Sequence, residues 1–182
     1  MRTTLDIDDD VTARRQGALI HLGRSMRNAK KALLILCAFL ATGGVATADS
    51  ADPVNEARQF IDAFNKGDIK AAEATHVAEP IIIDEIPPYQ WQGRGSFKAW
   101  LGDLTKHDTA GGVTDGNMKF GDVIRQEMAG DHAYVVVATD YSFKQNGTPM
   151  HEPSQMTFAL KKGKAGWRIV GWTFAGPKPT AQ

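Results

Sequence analysis

Two acidic residues and one tyrosine are the side chains of this sequence best suited to proton chemistry. Asp84 follows the β-branched run 81–83, and Glu152 lies in an alternating segment that strand pairing sets opposite Tyr141. A carboxylate among apolar side chains is poorly solvated, so its pKa rises toward the range useful for abstracting a proton beside a carbonyl. We predict Asp84 as a general acid or base. Glu152 is a second catalytic candidate, which would orient a substrate together with Tyr141.

Each of these residues also has a purely structural interpretation. Asp84 and Glu85 could form a solvated strand end before a Pro-Pro break, although alternation favours an inward side chain at Asp84. Tyr141 and Glu152 could hydrogen-bond to each other at a rim instead of to a ligand. The functional interpretation requires the carboxylates to line an open cavity.

The histidines show no metal-binding pattern. His107, His132 and His151 fall in predicted turns or on an outer face, without the spacing of a motif such as HExxH, so we predict no metal. His76 falls in the short second helix that the sequence predicts. It could carry protons if it lines a cavity, or it could be a half-exposed structural residue. The sequence has no glycine-rich nucleotide loop and no GxSxG elbow, so we predict no cofactor and no serine nucleophile.

Composition is that of one ordinary globular domain. The chain has 182 residues, 42% of them hydrophobic, and its 21 basic side chains balance 21 acidic ones. A nucleic-acid-binding protein normally carries a basic stripe that neutralises phosphates. Charge neutrality therefore argues against a nucleic-acid partner.

The segment 26–48 has the pattern of a secretory signal peptide. Three basic side chains precede the apolar run 32–46, and small residues occupy 46–48, as a signal peptidase requires. The run is shorter than the ~20 residues of a transmembrane helix, and a retained anchor is the alternative. We expect cleavage near Ala48, a secreted or periplasmic protein, and no membrane attachment after cleavage.

Residues 1–25 differ in character from the rest of the chain. The string MRTTLDIDDDV at 1–11 resembles the opening strand of the VapB-type antitoxins, which bind DNA as dimers. Only about fifteen residues follow before the signal peptide, too few for the two helices of that family. We interpret 1–25 as an unstructured extension or a mis-assigned start, with Met26 as the true first residue.

The remaining segment, 49–182, predicts helices first and an antiparallel sheet afterwards. Asp52-Pro53 starts a helix that Gly67 ends, and Asp68 caps a second, shorter helix. A strand follows at 81–83, and apolar residues between 97 and 104 recur at helical spacing. Short turns separate four predicted strands, at 117–128, 132–144, 150–161 and 166–175. This order is typical of an α+β fold in which helices cover one face of the sheet.

The turn at Asn146-Gly147 fixes the register of the central hairpin. A two-residue type I′ turn there pairs Gln145 with Thr148, and every later pair follows from it. The inner face then carries Val137 and Thr139 opposite Met156 and Ser154, with Tyr141 opposite Glu152. The last hairpin is ambiguous by one residue. A five-residue loop there would add Val170, Trp172 and Phe174 to the inner face.

Several strings resemble the SnoaL-like members of the nuclear transport factor 2-like superfamily over residues 53–176. They are FIDAFNKGD at 60–68, IIID with Gly93 nine residues after Asp84, RGSFKAWL, and GWRIVGWTF. The resemblance implies a cone-shaped, curved antiparallel sheet covered by about three N-terminal helices, with a pocket between them. It also implies several possible functions, because the superfamily includes ketosteroid isomerases, polyketide cyclases, epoxide hydrolases and members without chemistry.

Ketosteroid isomerase is the sharpest comparison within that superfamily. The resemblance places Asp84 at the position of its base, but Phe60 stands where its tyrosine would be and Ser154 where its protonated aspartate would be. Losing such a donor typically lowers the rate about a hundred- to a thousandfold. We therefore do not expect steroid-type isomerisation.

The expected function is binding of a small apolar molecule in the pocket, with catalysis undemonstrated. The alternatives are a lyase, isomerase or cyclase that uses Asp84, and a structural domain that forms a homodimer through the outer face of its sheet. The predicted ligand-binding residues are mainly apolar or aromatic: Phe60, Phe64, Ile82, Trp91, Trp100, Val137, Tyr141, Ser154, Met156, Phe158, Trp172 and Phe174.

Overall fold

The computed structural model describes residues 52–182. The predictions for the extension 1–25, the signal peptide 26–48 and cleavage near Ala48 lie outside these residues. The secreted or periplasmic location therefore stays a prediction.

Three helices precede most of the sheet, as predicted. Asp52 caps helix α1, because its Oδ1 accepts a hydrogen bond from the backbone N–H of Val54 at 2.9 Å, and Pro53 occupies the first turn. Asp68 caps helix α2 in the same way through the N–H of Ala71 at 3.0 Å. The helices are α1 (Pro53–Asn65), α2 (Ile69–Ala74) and α3 (Ser96–Gly111). None of the helices in the described part of the chain is long and apolar enough to cross a bilayer.

The sheet is mixed rather than wholly antiparallel. Its strands are β1 (His76–Ile83), β2 (Gln90–Gln92), β3 (Val113–Ala129), β4 (His132–Gln145), β5 (Thr148–Gly163), β6 (Gly166–Ala175) and β7 (Thr180–Ala181). The order is β2-β1-β6-β5-β4-β3, with β7 on β5. Strands β3 to β6 are antiparallel, as their short turns predict, but β1 runs parallel to β6, with Ile82 beside Trp172. No turn links these two strands directly, so local sequence signals carried no information about their direction.

The register of the central hairpin is confirmed. Asn146 and Gly147 both have positive φ, 50° and 83°, as a type I′ turn requires, and Gln145 pairs with Thr148. Tyr141 lies opposite Glu152. Register shifts interrupt the β3–β4 pairing at three places, and such bulges bend a sheet, which curves here without closing into a barrel.

The last hairpin differs from the predicted geometry. Its loop has two residues rather than five, because Gly163 pairs with Gly166, and Val170 is the extra residue of a bulge further along. The bulge shifts the register by one, so Trp172 and Phe174 still lie opposite Phe158 and Met156. Val170 itself does not join the inner face with them.

A buried cluster fills the space between the inner face and the helices. Phe158 and Ile82 are fully buried, and Phe60 of α1 packs on Trp172 of β6 with ring centroids 5.7 Å apart. Beyond β6, residues 176–182 return along β5, where Thr180 pairs with His151 and the N–H of Gln182 donates to the carbonyl of Pro149 at 3.1 Å. We call residues 176–182 the C-terminal strap.

Candidate functional site

An open cavity of about 720 Å³ lies between the inner face of the sheet and helices α1 and α3. Its wall is mostly aromatic and aliphatic, and one side carries several carboxyl groups. The C-terminal strap closes part of the rim through Lys178 and Pro179. A concave apolar site with a few polar groups is the usual form of a small-molecule site.

The structure brings nine of the predicted site residues together around this cavity. They are the two candidate acids, Asp84 and Glu152, and the seven wall residues Phe60, Phe64, Trp100, Tyr141, Met156, Trp172 and Phe174. The aromatic side chains also touch one another. The rings of Trp100 and Trp172 meet edge to face at 5.0 Å, and those of Phe64 and Trp100 lie 5.5 Å apart.

Five predicted ligand-binding residues lie outside the cavity lining. Ile82, Val137 and Phe158 are fully buried, so they form the core beneath the wall. The indole N–H of Trp91, on β2, donates to Asp103 Oδ2 at 3.0 Å, away from the cavity. Ser154 Oγ is paired with Thr139 Oγ1 at 2.9 Å. Alternation along a strand identifies an inward side chain but does not show whether it reaches the cavity.

Asp84 lies at the end of β1, held by two donors. The indole N–H of Trp100 donates to its Oδ2 at 2.7 Å, and the backbone N–H of Glu85 donates to its Oδ1 at 2.7 Å. Burial raises the pKa of Asp84, and these two hydrogen bonds oppose that rise. The result is a fixed, partly desolvated carboxylate on the cavity wall.

Glu152 is almost inaccessible to solvent, with 1% of its surface exposed. Burial raises its pKa to about 7, and the nearby Glu85 carboxyl contributes through its charge and a shared hydrogen bond. The Oε1 atom of Glu152 has no hydrogen-bond partner among the described residues. Two carboxyls that share a hydrogen bond cannot easily both ionise, so the charge of Glu85 disfavours ionisation of Glu152.

Tyr141 stands beside Glu152 on the neighbouring strand. Its ring stacks on Phe143 at 4.9 Å, and its hydroxyl is directed toward Gly116, where a Cβ would lie 2.6 Å from the oxygen. Burial and then the charge of Asp108 raise the pKa of Tyr141 to about 12. The phenol therefore stays protonated at neutral pH and is able to donate a hydrogen bond to a bound molecule.

Some cavity residues were not among the predicted sites. Glu85, Asp108 and Lys178 all line the cavity, although alternation had favoured an outward Glu85. The irregular backbone after β1 breaks the alternation there.

His107 was predicted in a turn or on an outer face, but it lies in α3 and lines the cavity. Helical spacing from Trp100 and Leu104 would have placed His107 and Asp108 on the same face.

His76 also differs from its predicted position. It begins β1 rather than lying in the second helix, and it is buried, with 7% exposure, instead of half-exposed. Its Nδ1 lies 3.0 Å from the carbonyl oxygen of Ala72, and its Nε2 accepts from the indole N–H of Trp172 at 3.0 Å. Burial lowers the pKa of His76 to about 4, so the ring is neutral and serves as a core hydrogen-bonding residue.

Within residues 52–182, no three His, Cys, Asp or Glu side chains converge closely enough to hold a metal ion.

Residues 55–175 match the family of SnoaL-like domains, about two thirds of the chain. The chain belongs to the SnoaL-like family. No curated protein matches the sequence. The family assignment confirms the resemblance seen in the sequence, and it agrees with a curved sheet covered by helices.

Solved structures with the same fold differ widely in their described functions. One is a ketosteroid isomerase-like protein from Erwinia carotovora atroseptica, with TM-score 0.55 and 21% identity over 69% of this chain and 94% of that chain. A putative scytalone dehydratase from Novosphingobium aromaticivorans has TM-score 0.58 and 10% identity, covering 71% and 84%. The CaMKII hub of S. rosetta has TM-score 0.55 and 17% identity, covering 68% and 93%. At these identities the similarity shows the fold alone.

Proposed function

We propose that this SnoaL-like domain binds a small, mainly apolar molecule with one or two polar groups in the cavity. The observation that carries this proposal is the open cavity of about 720 Å³ with aromatic walls and a polar side. A solid interior would instead have favoured a purely structural or dimer-forming domain.

The test is a variant that fills the cavity, compared with one that does not. Leu104 lines the cavity and its neighbour Thr105 is exposed on the same helix. We expect native mass spectrometry of protein purified from its host to detect a bound small molecule in the wild type and in Thr105→Trp. Leu104→Trp should lose that molecule while keeping its fold by circular dichroism. Equal occupancy in both variants, or no bound molecule in the wild type, would contradict the proposal.

A specific observation favours a second candidate function, proton transfer by Asp84. Its carboxylate faces the cavity, held by Trp100 and the backbone of Glu85, and burial raises its pKa. A base fixed against the substrate with a raised pKa suits removal of a proton beside a carbonyl in a lyase, isomerase or cyclase reaction. Phe60 offers no donor and Ser154 is engaged with Thr139, which argues against the steroid-type reaction.

The chain contains a second indole–carboxylate pair that serves as a control for this reaction. Trp91 donates to Asp103 outside the cavity as Trp100 donates to Asp84 inside it. With the co-purified molecule in deuterated water, we expect the wild type and Asp103→Asn to incorporate deuterium at carbon. Asp84→Asn should not incorporate it, although its ligand affinity stays within about tenfold. If Asp84→Asn incorporates as much deuterium as the wild type, the proton-transfer function is refuted. If the variant loses ligand affinity as strongly as it loses deuterium incorporation, Asp84 is a binding group.

A further inference from the structure

The cavity has an excess of acidic groups over basic ones. Its lining includes four carboxyl groups, of Asp84, Glu85, Asp108 and Glu152, and two basic side chains, of His107 and Lys178. Both basic side chains are exposed, whereas Glu152 is deeply buried. Negative charge within a partly enclosed apolar site produces a stronger field than the same charge in water, and this field attracts cations and repels anions.

The carboxyl group of Glu152 has unused hydrogen-bonding capacity. The residue has 1% of its surface exposed, and its Oε1 atom is buried without a hydrogen-bond partner among the described residues. Buried polar atoms in folded proteins are nearly always paired, so an unpaired acceptor on a residue that lines the cavity is the group that a donor of the bound molecule would complete. A group that supplies several donors and a positive charge satisfies both this atom and the surrounding carboxyls.

The aromatic wall suits the same kind of group. Trp100 and Trp172 line the cavity together with Phe64, and the centroid of a Trp100 ring lies 5.0 Å from that of Trp172 and 5.5 Å from that of Phe64. The faces of indole and phenyl rings attract cations, and this attraction grows when the cation is shielded from water. An apolar body against these rings and a cationic head near the carboxyls would therefore be bound at both ends.

We propose that the ligand of this cavity is an apolar molecule with one protonated amine, whose ammonium group lies beside Glu152 and Glu85, while Asp84 contributes only its negative charge. This inference rests on the proposed binding function and adds the chemical class of the ligand. A carboxylate ligand would meet repulsion from all four acidic groups. An alcohol would donate one hydrogen bond to Glu152 Oε1 but would leave the negative charge uncompensated.

Three probes that share one apolar body separate these classes: pyrenemethylamine, pyrenemethanol and pyrenecarboxylate. Energy transfer from Trp100 and Trp172 to the pyrene ring measures binding to the full chain at mildly alkaline pH. We expect the amine to bind roughly ten- to a hundredfold more tightly than the alcohol, as a charge-assisted hydrogen bond allows. The carboxylate should bind most weakly of the three.

The matched variants are Glu152→Gln in the cavity and Glu73→Gln at an exposed position of α2. Glu152→Gln should reduce the preference for the amine to a few-fold while affinity for the alcohol is kept, and Glu73→Gln should leave both unchanged. If the alcohol or the carboxylate binds as tightly as the amine, the amine proposal is wrong but ligand binding stands. If none of the three binds, both proposals fail. An amine preference that survives in Glu152→Gln overturns the assigned position of the ammonium group.

Discussion

Two buried polar side chains, His76 and Glu152, meet opposite conditions within one domain. Both are nearly inaccessible, at 7% and 1% exposure. Each ring nitrogen of His76 lies 3.0 Å from a hydrogen-bond partner, whereas Glu152 keeps one oxygen without a partner among the described residues. Satisfied buried groups stabilise a fold, and unsatisfied ones weaken it unless a ligand completes them. His76 is therefore a structural residue of the core, whereas Glu152 is a candidate ligand-binding residue of the cavity.

The largest expected effect comes from removing the satisfied group. His76→Ala leaves the indole N–H of Trp172 unpaired and opens space in the core, so we expect a loss of about 3 kcal/mol in the free energy of unfolding at neutral pH. Urea denaturation measures this loss. Because the pKa of His76 is lowered from 6.5 to about 4, its stabilising contribution is present above pH 6.5 and disappears as the pH falls through 4. The difference between wild type and variant should therefore shrink in acid, and a constant difference would show that His76 is not held neutral.

The opposite pH dependence is expected when the unsatisfied group is changed. The folded-state pKa of Glu152 is raised from 4.5 to about 7, so its contribution is fully present below pH 4.5 and is lost as the pH rises through 7. Glu152→Gln mimics the protonated form. It should match the wild type in stability near pH 4.5 and exceed it at a pH of about 8 by on the order of 2 kcal/mol.

The neighbours of Glu152 titrate in the same direction, which sets the control for that measurement. Burial raises the pKa of Asp84, Glu85 and Asp108, so the wild type should lose stability with rising pH even apart from Glu152. Only the difference between wild type and variant isolates this residue. If the stability gained by Glu152→Gln over the wild type is no larger at alkaline pH than in acid, Glu152 is not the strained group of the site.

The local elements could be predicted from the sequence, and the long-range contacts could not. Asp52-Pro53 and Asn146-Gly147 specify a helix start and a turn through their own backbone preferences, and the register of β4 against β5 follows from that turn. The parallel pairing of β1 with β6 depends on packing between segments far apart in the chain.

The candidate site shows the same division. Asp84, Glu152 and Tyr141 follow from strand alternation. Glu85 lies beyond the last regular strand position, and Lys178 arrives through the C-terminal strap, which pairs with β5 by a two-residue strand that has no sequence signal. Contacts of this kind are set by the tertiary fold, so the full set of carboxyls became visible only in three dimensions.

A smaller effect is expected at the two indole–carboxylate pairs. Trp100→Phe removes the donor to Asp84 Oδ2, so the pKa of Asp84 should rise further, with a loss of about 1.5 kcal/mol in stability. Trp91→Phe removes the equivalent donor to Asp103 outside the cavity and should leave the Asp84 titration unchanged. Carboxyl-carbon NMR titration measures Asp84 in each variant. The same Asp84 titration in both variants would mean that the Trp100 hydrogen bond does not hold this carboxylate.

The smallest expected effect tests how closely the C-terminal strap confines Glu152. A Cβ at Gly176 would lie 2.6 Å from Glu152 Oε1 and 3.2 Å from the carbonyl oxygen of Pro153, so Gly176→Ala should displace the carboxyl group. We expect a loss of about 1 kcal/mol in stability from this overpacking. Gly102→Ala, at a helical position with nothing within 4 Å, is the control and should not affect binding of the amine probe. Since the closest contact of the added methyl group is the unpaired oxygen, weaker amine binding by Gly176→Ala but not by Gly102→Ala would link ligand recognition to the position of the Glu152 carboxyl group. Unchanged binding would show that the carboxyl group can reach its ligand from another position.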